Sequence, residues 1–203
     1  MSPAYCQVMN TTRLDTTKWQ RKPPAETLSD HRIEFIDAQP MFLVATAAAE
    51  GTVNMSPKGM DTLRVLAPDR IVWLNLTGSG NETAAHIAAN NRMTLMWMSF
   101  GTTPIILRAY GQATVVHPRD DAWAELAPLF PNFGGSRQVF DLRIDRVADS
   151  CGTGVPTMTL EADRGLTELE PFYKRMTDEK LHGFWERKNS TSNDGLPTHI
   201  FGS

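Results

Sequence analysis

Val53-Asn54-Met55-Ser56-Pro57-Lys58-Gly59 opens like a β-strand and closes on residues that strands seldom carry. Just upstream, Glu50-Gly51 is a turn signal, and Phe42-Leu43-Val44-Ala45-Thr46 is rich in strand formers. The three pieces together read as an antiparallel hairpin. Proline fixes φ and glycine permits backbone geometry closed to other residues, so the end of this stretch is expected to be a tight loop presenting Ser56 and Lys58. One hydroxyl and one mobile point charge can grip a phosphate. The same residues would also make an ordinary surface turn with a solvated lysine.

Outward from the hairpin the chain continues strand after strand. Residues 63–66 form a short apolar run closed by Pro68-Asp69, and Ile71-Val72-Trp73-Leu74-Asn75-Leu76 is the clearest buried strand. Residues 93–100 and 105–116 follow as strands. In residues 139–147, Phe140, Leu142 and Ile144 alternate with Asp141, Arg143 and Asp145. Helical signals are fewer. Ser29-Asp30 offers a cap for a short helix stopped by Gln39-Pro40, and alanine-rich 82–89 has a cap at Ser79 or Asn81. A helix is expected over 118–129. Pro171 suits a first turn, and Thr177-Asp178-Glu179 starts a further helix to Arg187. This order predicts a mainly β chain with flanking helices, closed as an antiparallel barrel. The expected division is an N-terminal arm (1–30) docked on a partner subunit or packed over the barrel, a barrel domain (31–160) and a helical C-terminal extension (161–203).

Composition narrows the function classes. The 203 residues carry a formal charge of −3, which gives no electrostatic footprint for nucleic acid. The most apolar run, 41–49, falls far short of the roughly 20 residues a membrane helix needs. The first residues lack the basic-then-apolar pattern of a signal peptide, and two cysteines are too few for a disulfide framework. A cytoplasmic setting without membrane or nucleic-acid partners is the expectation.

A second candidate anion site lies at residues 77–83, between a strand and a helix. Helix N-termini offer unpaired N–H groups and a partial positive charge. Gly78 and Gly80 would admit a phosphate to the backbone, with Thr77, Ser79 and Thr83 adding hydroxyls; an ordinary capped turn is the alternative. A dinucleotide fingerprint is rejected, because the third glycine position is Thr83 and no βαβ pattern surrounds it. The five histidines have no metal-ligand spacing, and Ser56 lacks a nucleophile-elbow context. Cys151, in a glycine-rich loop, is either a ligand-facing thiol or a small packing residue. Trp97, Arg108 and Tyr110 either line a pocket or pack.

Two runs are similar to signatures of the pyridoxamine 5′-phosphate oxidase-like flavoproteins: Gly51-Thr52-Val53-Asn54-Met55-Ser56-Pro57-Lys58-Gly59-Met60-Asp61-Thr62 and Leu76-Thr77-Gly78-Ser79-Gly80-Asn81-Glu82-Thr83-Ala84-Ala85-His86. Residues 150–156 and 188–197 resemble a subgroup of that family. The resemblance implies a six-stranded, Greek-key split β-barrel, a homodimer, and FMN at the subunit interface. It would run Met55, Ser56, Pro57, Lys58 and Gly59 along the flavin, and have Thr77, Gly78, Ser79, Asn81 and Thr83 cradle its phosphate. In the vitamin-B6 oxidases this turn carries arginine and lysine; here Asn81 and Glu82 stand instead, so hydroxyls and backbone would carry more of the grip. The arginine- and histidine-bearing C-terminal substrate motif of those oxidases has no match in Asp194-Gly195-Leu196-Pro197-Thr198-His199. The implied activity is an FMN-dependent oxidoreductase of unassigned substrate, with no catalytic residue named and no metal. The alternatives are a flavin-binding or stress-related protein without turnover, or the same barrel holding another flavin-like or haem cofactor.

Overall fold

The hairpin forms as expected, but it is longer than its propensities suggest. In the computed structural model, which describes residues 23–202, β1 (Met41–Ala47) pairs with β2 (Val53–Gly59) along the full length of both. Most of the N-terminal arm, and with it the expectation that it docks, lies outside the described residues. Pro57 stands opposite Leu43 inside the ladder, so Ser56 and Lys58 belong to a strand and not to a tight loop. A proline is tolerated there because β2 is the outermost strand and one side of it needs no N–H donor.

The remaining strands are β3 (Leu63–Ala67), β4 (Arg70–Leu76), β5 (Arg92–Met98), β6 (Ile105–Val116) and β7 (Ser136–Cys151). They make one antiparallel sheet in the order β2-β1-β5-β6-β7-β4-β3, seven strands where six were expected. The sheet curls as a split barrel until its halves meet inside: the Phe42 ring packs on Trp73 at 6.0 Å and on Trp97 at 6.3 Å, and Trp73 stacks on Phe140 at 4.6 Å. Trp97 is therefore core rather than pocket lining. β4 is buried on both faces, which is why its sequence is a continuous apolar run. Ile71 and Trp73 enter the barrel interior, while Val72 and Leu74 join Val116, Phe130 and Val139 in an outer cluster.

β6 and β7 carry a bulge between Tyr110 and Gly111. At Gly111 a Cβ would run into the carbonyl of Arg143, so only glycine lets the two backbones approach. Gly111→Ala is expected to destabilise the fold by about 1–3 kcal/mol, read as a lowered urea midpoint with an unchanged slope.

Helix α1 (Asp30–Asp37) packs Phe35 and Ile36 into the barrel core. Helix α2 (Glu82–Ala89) lies on β1 and β6 through Ala84 and Ile87. The helix expected over 118–129 shrinks to α3 (Trp123–Leu126) and a 3₁₀ turn (Ala127–Leu129). Asp120 instead accepts the His117 N–H at 2.8 Å, a turn motif that competes with helix, and Pro128 ends the regular ladder. A π-helical turn (Gly165–Leu169) leads into α4 (Glu170–Lys174), and Thr177 caps α5 (Asp178–Lys188) by accepting from the Lys180 amide at 3.4 Å. Among the described residues no helix is long and apolar enough to cross a membrane.

Candidate cofactor site

Alternation along β2 divides its residues between two directions. Asn54, Ser56 and Lys58 are half-buried, while Val53, Met55 and Pro57 stand in the open, Val53 at 75% and Met55 at 61% exposure. Met55 and Pro57 thus do not share a face with Ser56 and Lys58 within one chain. Gly59 ends the strand, and its carbonyl accepts from the Thr62 hydroxyl at 2.8 Å.

Lys58 reaches inward. Its Nζ lies 5.5 Å from the centre of the Trp73 ring and donates to Asn75 Oδ1 at 3.4 Å; Asn75 in turn donates to Gln138 Oε1 at 3.2 Å. Among the described residues no carboxylate pairs with it. Burial pushes the Lys58 ammonium down to about 8, and the charge of Arg137 adds to that shift.

Arg137 is a residue that sequence reasoning missed. It belongs to Ser136-Arg137-Gln138, which carries no strand signal, yet β7 starts there because Ser136 and Gln138 pair with Leu76 and Asn75. Arg137 is 2% exposed, its guanidinium donates to the Gly80 carbonyl at 3.1 Å, and burial pushes it down to about 10, still cationic at neutral pH. Its Nε and the Gln138 Nε2 are buried donors without acceptors, and among the described residues Arg137 has no acidic partner. Two desolvated cations within electrostatic reach of each other, with no counter-ion, form a site built for an anion.

The turn at 77–81 sits beside them. Asn54 Nδ2 on β2 donates to Thr83 Oγ1 in the first turn of α2 at 3.3 Å and to Thr46 Oγ1 at 3.3 Å, so the two expected stretches do meet. Thr46 in turn contacts the buried His86 Nδ1 at 3.2 Å. The turn's side chains are less free than expected. Thr77 Oγ1 donates to the Gly135 carbonyl at 2.7 Å and accepts from Trp185 Nε1 at 2.9 Å. Asn81 occupies the cap position of α2 without capping it; its amide donates to the Asn189 carbonyl at 3.3 Å. Ser79 is exposed, and no side chain would be blocked at Gly78. The Gly78 and Gly80 carbonyls accept from Asn189 and Arg137, and among the described residues the N–H groups of 78–81 have no acceptor. Unpaired N–H groups just before a helix N-terminus can receive an anion.

Other expected candidates lie elsewhere. Cys151 is the exposed last residue of β7, at the opposite end of that strand from Arg137; hydrogen bonds from Thr153 hold its thiol below the usual range. Arg108 on β6 donates to Ser150 Oγ on β7 at 2.8 Å. Among the described residues no group of three His, Cys, Asp or Glu side chains converges on a metal site.

Comparison with known proteins supplies an independent view. A family model described as pyridoxamine 5′-phosphate oxidase matches residues 28–151. The curated pyridoxamine 5′-phosphate oxidase family protein ustO of Aspergillus flavus is 33% identical over 188 residues, covering 85% of this chain and 76% of that protein. Among solved structures, HupZ of Group A Streptococcus superposes with a TM-score of 0.51 at 18% identity, covering 64% of this chain and 99% of the other, a likeness of fold alone.

Proposed function

Because the chain belongs to the pyridoxamine 5′-phosphate oxidase family, we propose that it is an FMN-binding flavoprotein whose anion site takes the cofactor's phosphate. The observation that carries this is a pair of buried cations, Lys58 and Arg137, which among the described residues have no acidic partner and lie beside a turn whose 78–81 N–H groups have no acceptor. In this reading Lys58 and the N–H groups of 78–81 hold the phosphate oxygens, with Ser79 free to add a hydroxyl. Arg137 braces the turn through Gly80 and supplies charge from behind it. Bound FMN would supply redox chemistry, with the protein contributing binding, orientation and electrostatics. The chain is then an oxidoreductase of unassigned substrate.

A homodimer is part of this reading, and the edge strand supports it. Val53 and Met55 leave an apolar outer face on a strand with one free edge, a surface that a second copy of the chain would cover. Met55 and Pro57 would then meet the flavin bound by the partner, while Ser56 and Lys58 serve their own.

Purified protein tests the proposal directly through its visible spectrum, mass analysis of the released small molecule, and titration of the stripped protein with FMN. A flavin spectrum and a released FMN mass are expected. A haem Soret band, or a colourless protein that does not take up added FMN, would overturn it. Reduction by a nicotinamide donor and reoxidation by air separate an oxidoreductase from a passive binder.

The pH dependence carries the signature of Lys58. A phosphate monoester is a dianion above about pH 6, and it attracts Lys58 only while the ammonium is charged. With Lys58 at about 8 in the free protein, FMN affinity should hold level near neutrality. It should then weaken as pH rises through 8, by up to about tenfold per unit. A profile that stays level to pH 9 would return Lys58 to a structural role.

A further inference from the structure

The C-terminal segment has an unassigned part in this site. After α5 the chain turns back over the 77–81 turn and fastens to it at several points. Trp185 donates to Thr77 Oγ1, and Asn189 Nδ2 donates to the Gly78 carbonyl at 3.0 Å. The Asn193 amide lies 3.1 Å from both oxygens of the Glu82 carboxylate, so the acidic residue at the start of α2 is engaged by this segment. Asp194 takes the Thr52 amide at 2.8 Å and its hydroxyl at 2.7 Å, which ties the segment to the loop entering β2 as well.

Asn189 is the centre of this arrangement. It is fully buried; its carbonyl accepts from Asn81 Nδ2 and from the Thr198 hydroxyl at 2.6 Å, while its side-chain amide holds Gly78. Its Oδ1 is buried without a donor, a cost that an apolar residue of similar size would avoid. What the asparagine achieves is orientation. A peptide plane whose carbonyl is fixed into the protein must turn its other edge away, and Asn189 and Arg137 fix the carbonyls of Gly78 and Gly80 in that manner.

We propose that Asn189, resting on the FMN reading above, is a positioning residue that holds the 77–81 turn with the N–H groups of 78–81 free for phosphate, and so makes the chain select phosphorylated over unphosphorylated flavin. Asn189 touches no ligand in this account; it acts through the turn. Asn81 and Glu82 bring no cation to this turn. Here the backbone carries the grip, and a backbone grip depends on what fixes the backbone.

The experiment compares FMN with riboflavin, which lacks the phosphate, by titrating stripped full-length protein and following quenching of flavin fluorescence. Wild type should favour FMN. Asn189→Ala should reduce the FMN-to-riboflavin affinity ratio by about tenfold or more while riboflavin affinity stays within about twofold. Trp185→Phe keeps an aromatic side chain but loses the indole N–H to Thr77 together with the five-membered ring, so it should lower the same ratio by a smaller factor and serves if Asn189→Ala does not fold. An unchanged ratio in the variants would overturn the inference while leaving the FMN site standing. Equal weakening of both flavins would overturn it too, because that is the mark of a merely structural residue. Wild type that binds both flavins equally would remove the phosphate site itself, and this inference with it.

Discussion

Arg32→Ala is expected to cost about 3–5 kcal/mol of folding stability, enough to consume a large share of the margin of a domain this size. Arg32 on α1 is 3% exposed and Asp149 near the end of β7 is 5% exposed. The guanidinium grips the carboxylate through two parallel bonds, Nε to Oδ1 and Nη2 to Oδ2, both at 3.1 Å, and also donates to the Pro23 carbonyl at 3.3 Å. A pair so desolvated gains little over an apolar pair of the same shape, but breaking it strands a buried carboxylate. The double variant Arg32→Met with Asp149→Leu should therefore recover most of what the single variant loses. Urea unfolding of the three proteins measures both effects. A loss below about 1 kcal/mol in the single variant would mean that water reaches Asp149 once the arginine is gone.

How much of this was legible in the chain depends on whether local or distant partners decide each segment. The strands from β1 to β6 could be read because their own residues favour extension and Gly, Pro and Asp mark the turns between them. Family membership could be read because residues 51–62 and 76–86 resemble known runs. Three things could not. Lys58 lies in a strand because β1 supplies a full-length partner, which no property of Pro57-Lys58-Gly59 announces. Arg137 is fixed by pairing with β4 and by the Thr77-to-Gly135 hydrogen bond at 2.8 Å, so no local signal extends the strand at 139–147 back to it. The docking of Asn189 on Gly78 spans more than a hundred residues and leaves no periodic trace. The over-long helix at 118–129 errs in the other direction, since its apolar spacing is sound but Asp120 and Pro128 redirect the backbone.

Lys58→Met should move stability and binding in opposite directions, which is the sharpest distinction between an anion site and a structural lysine. In the ligand-free protein the ammonium is buried near Arg137, with no acid paired to it among the described residues, and burial and the Arg137 charge both disfavour its charge. Methionine keeps most of the stem that packs along Trp73 and removes the charge. Stability near pH 7 should therefore rise, by about 1–3 kcal/mol. The sign can be checked against pH. The folded pKa, about 8, lies below the ordinary 10.5. Between those values the unfolded chain binds more protons than the folded one, so wild-type stability climbs with pH across that window. The Met variant lacks this climb, and its advantage should fade by about pH 10. FMN reverses the order. A charge-assisted bond to phosphate contributes about 1.5–3 kcal/mol, so the variant should bind FMN about 10- to 100-fold more weakly than wild type. Arg137→Met should also weaken FMN binding, and because both cations face one dianion, the double variant should lose less than the sum of the single losses. A Lys58→Met protein that is less stable and binds FMN as tightly as wild type would assign the lysine to packing over Trp73, and the anion site would then have to rest on Arg137 and the turn alone.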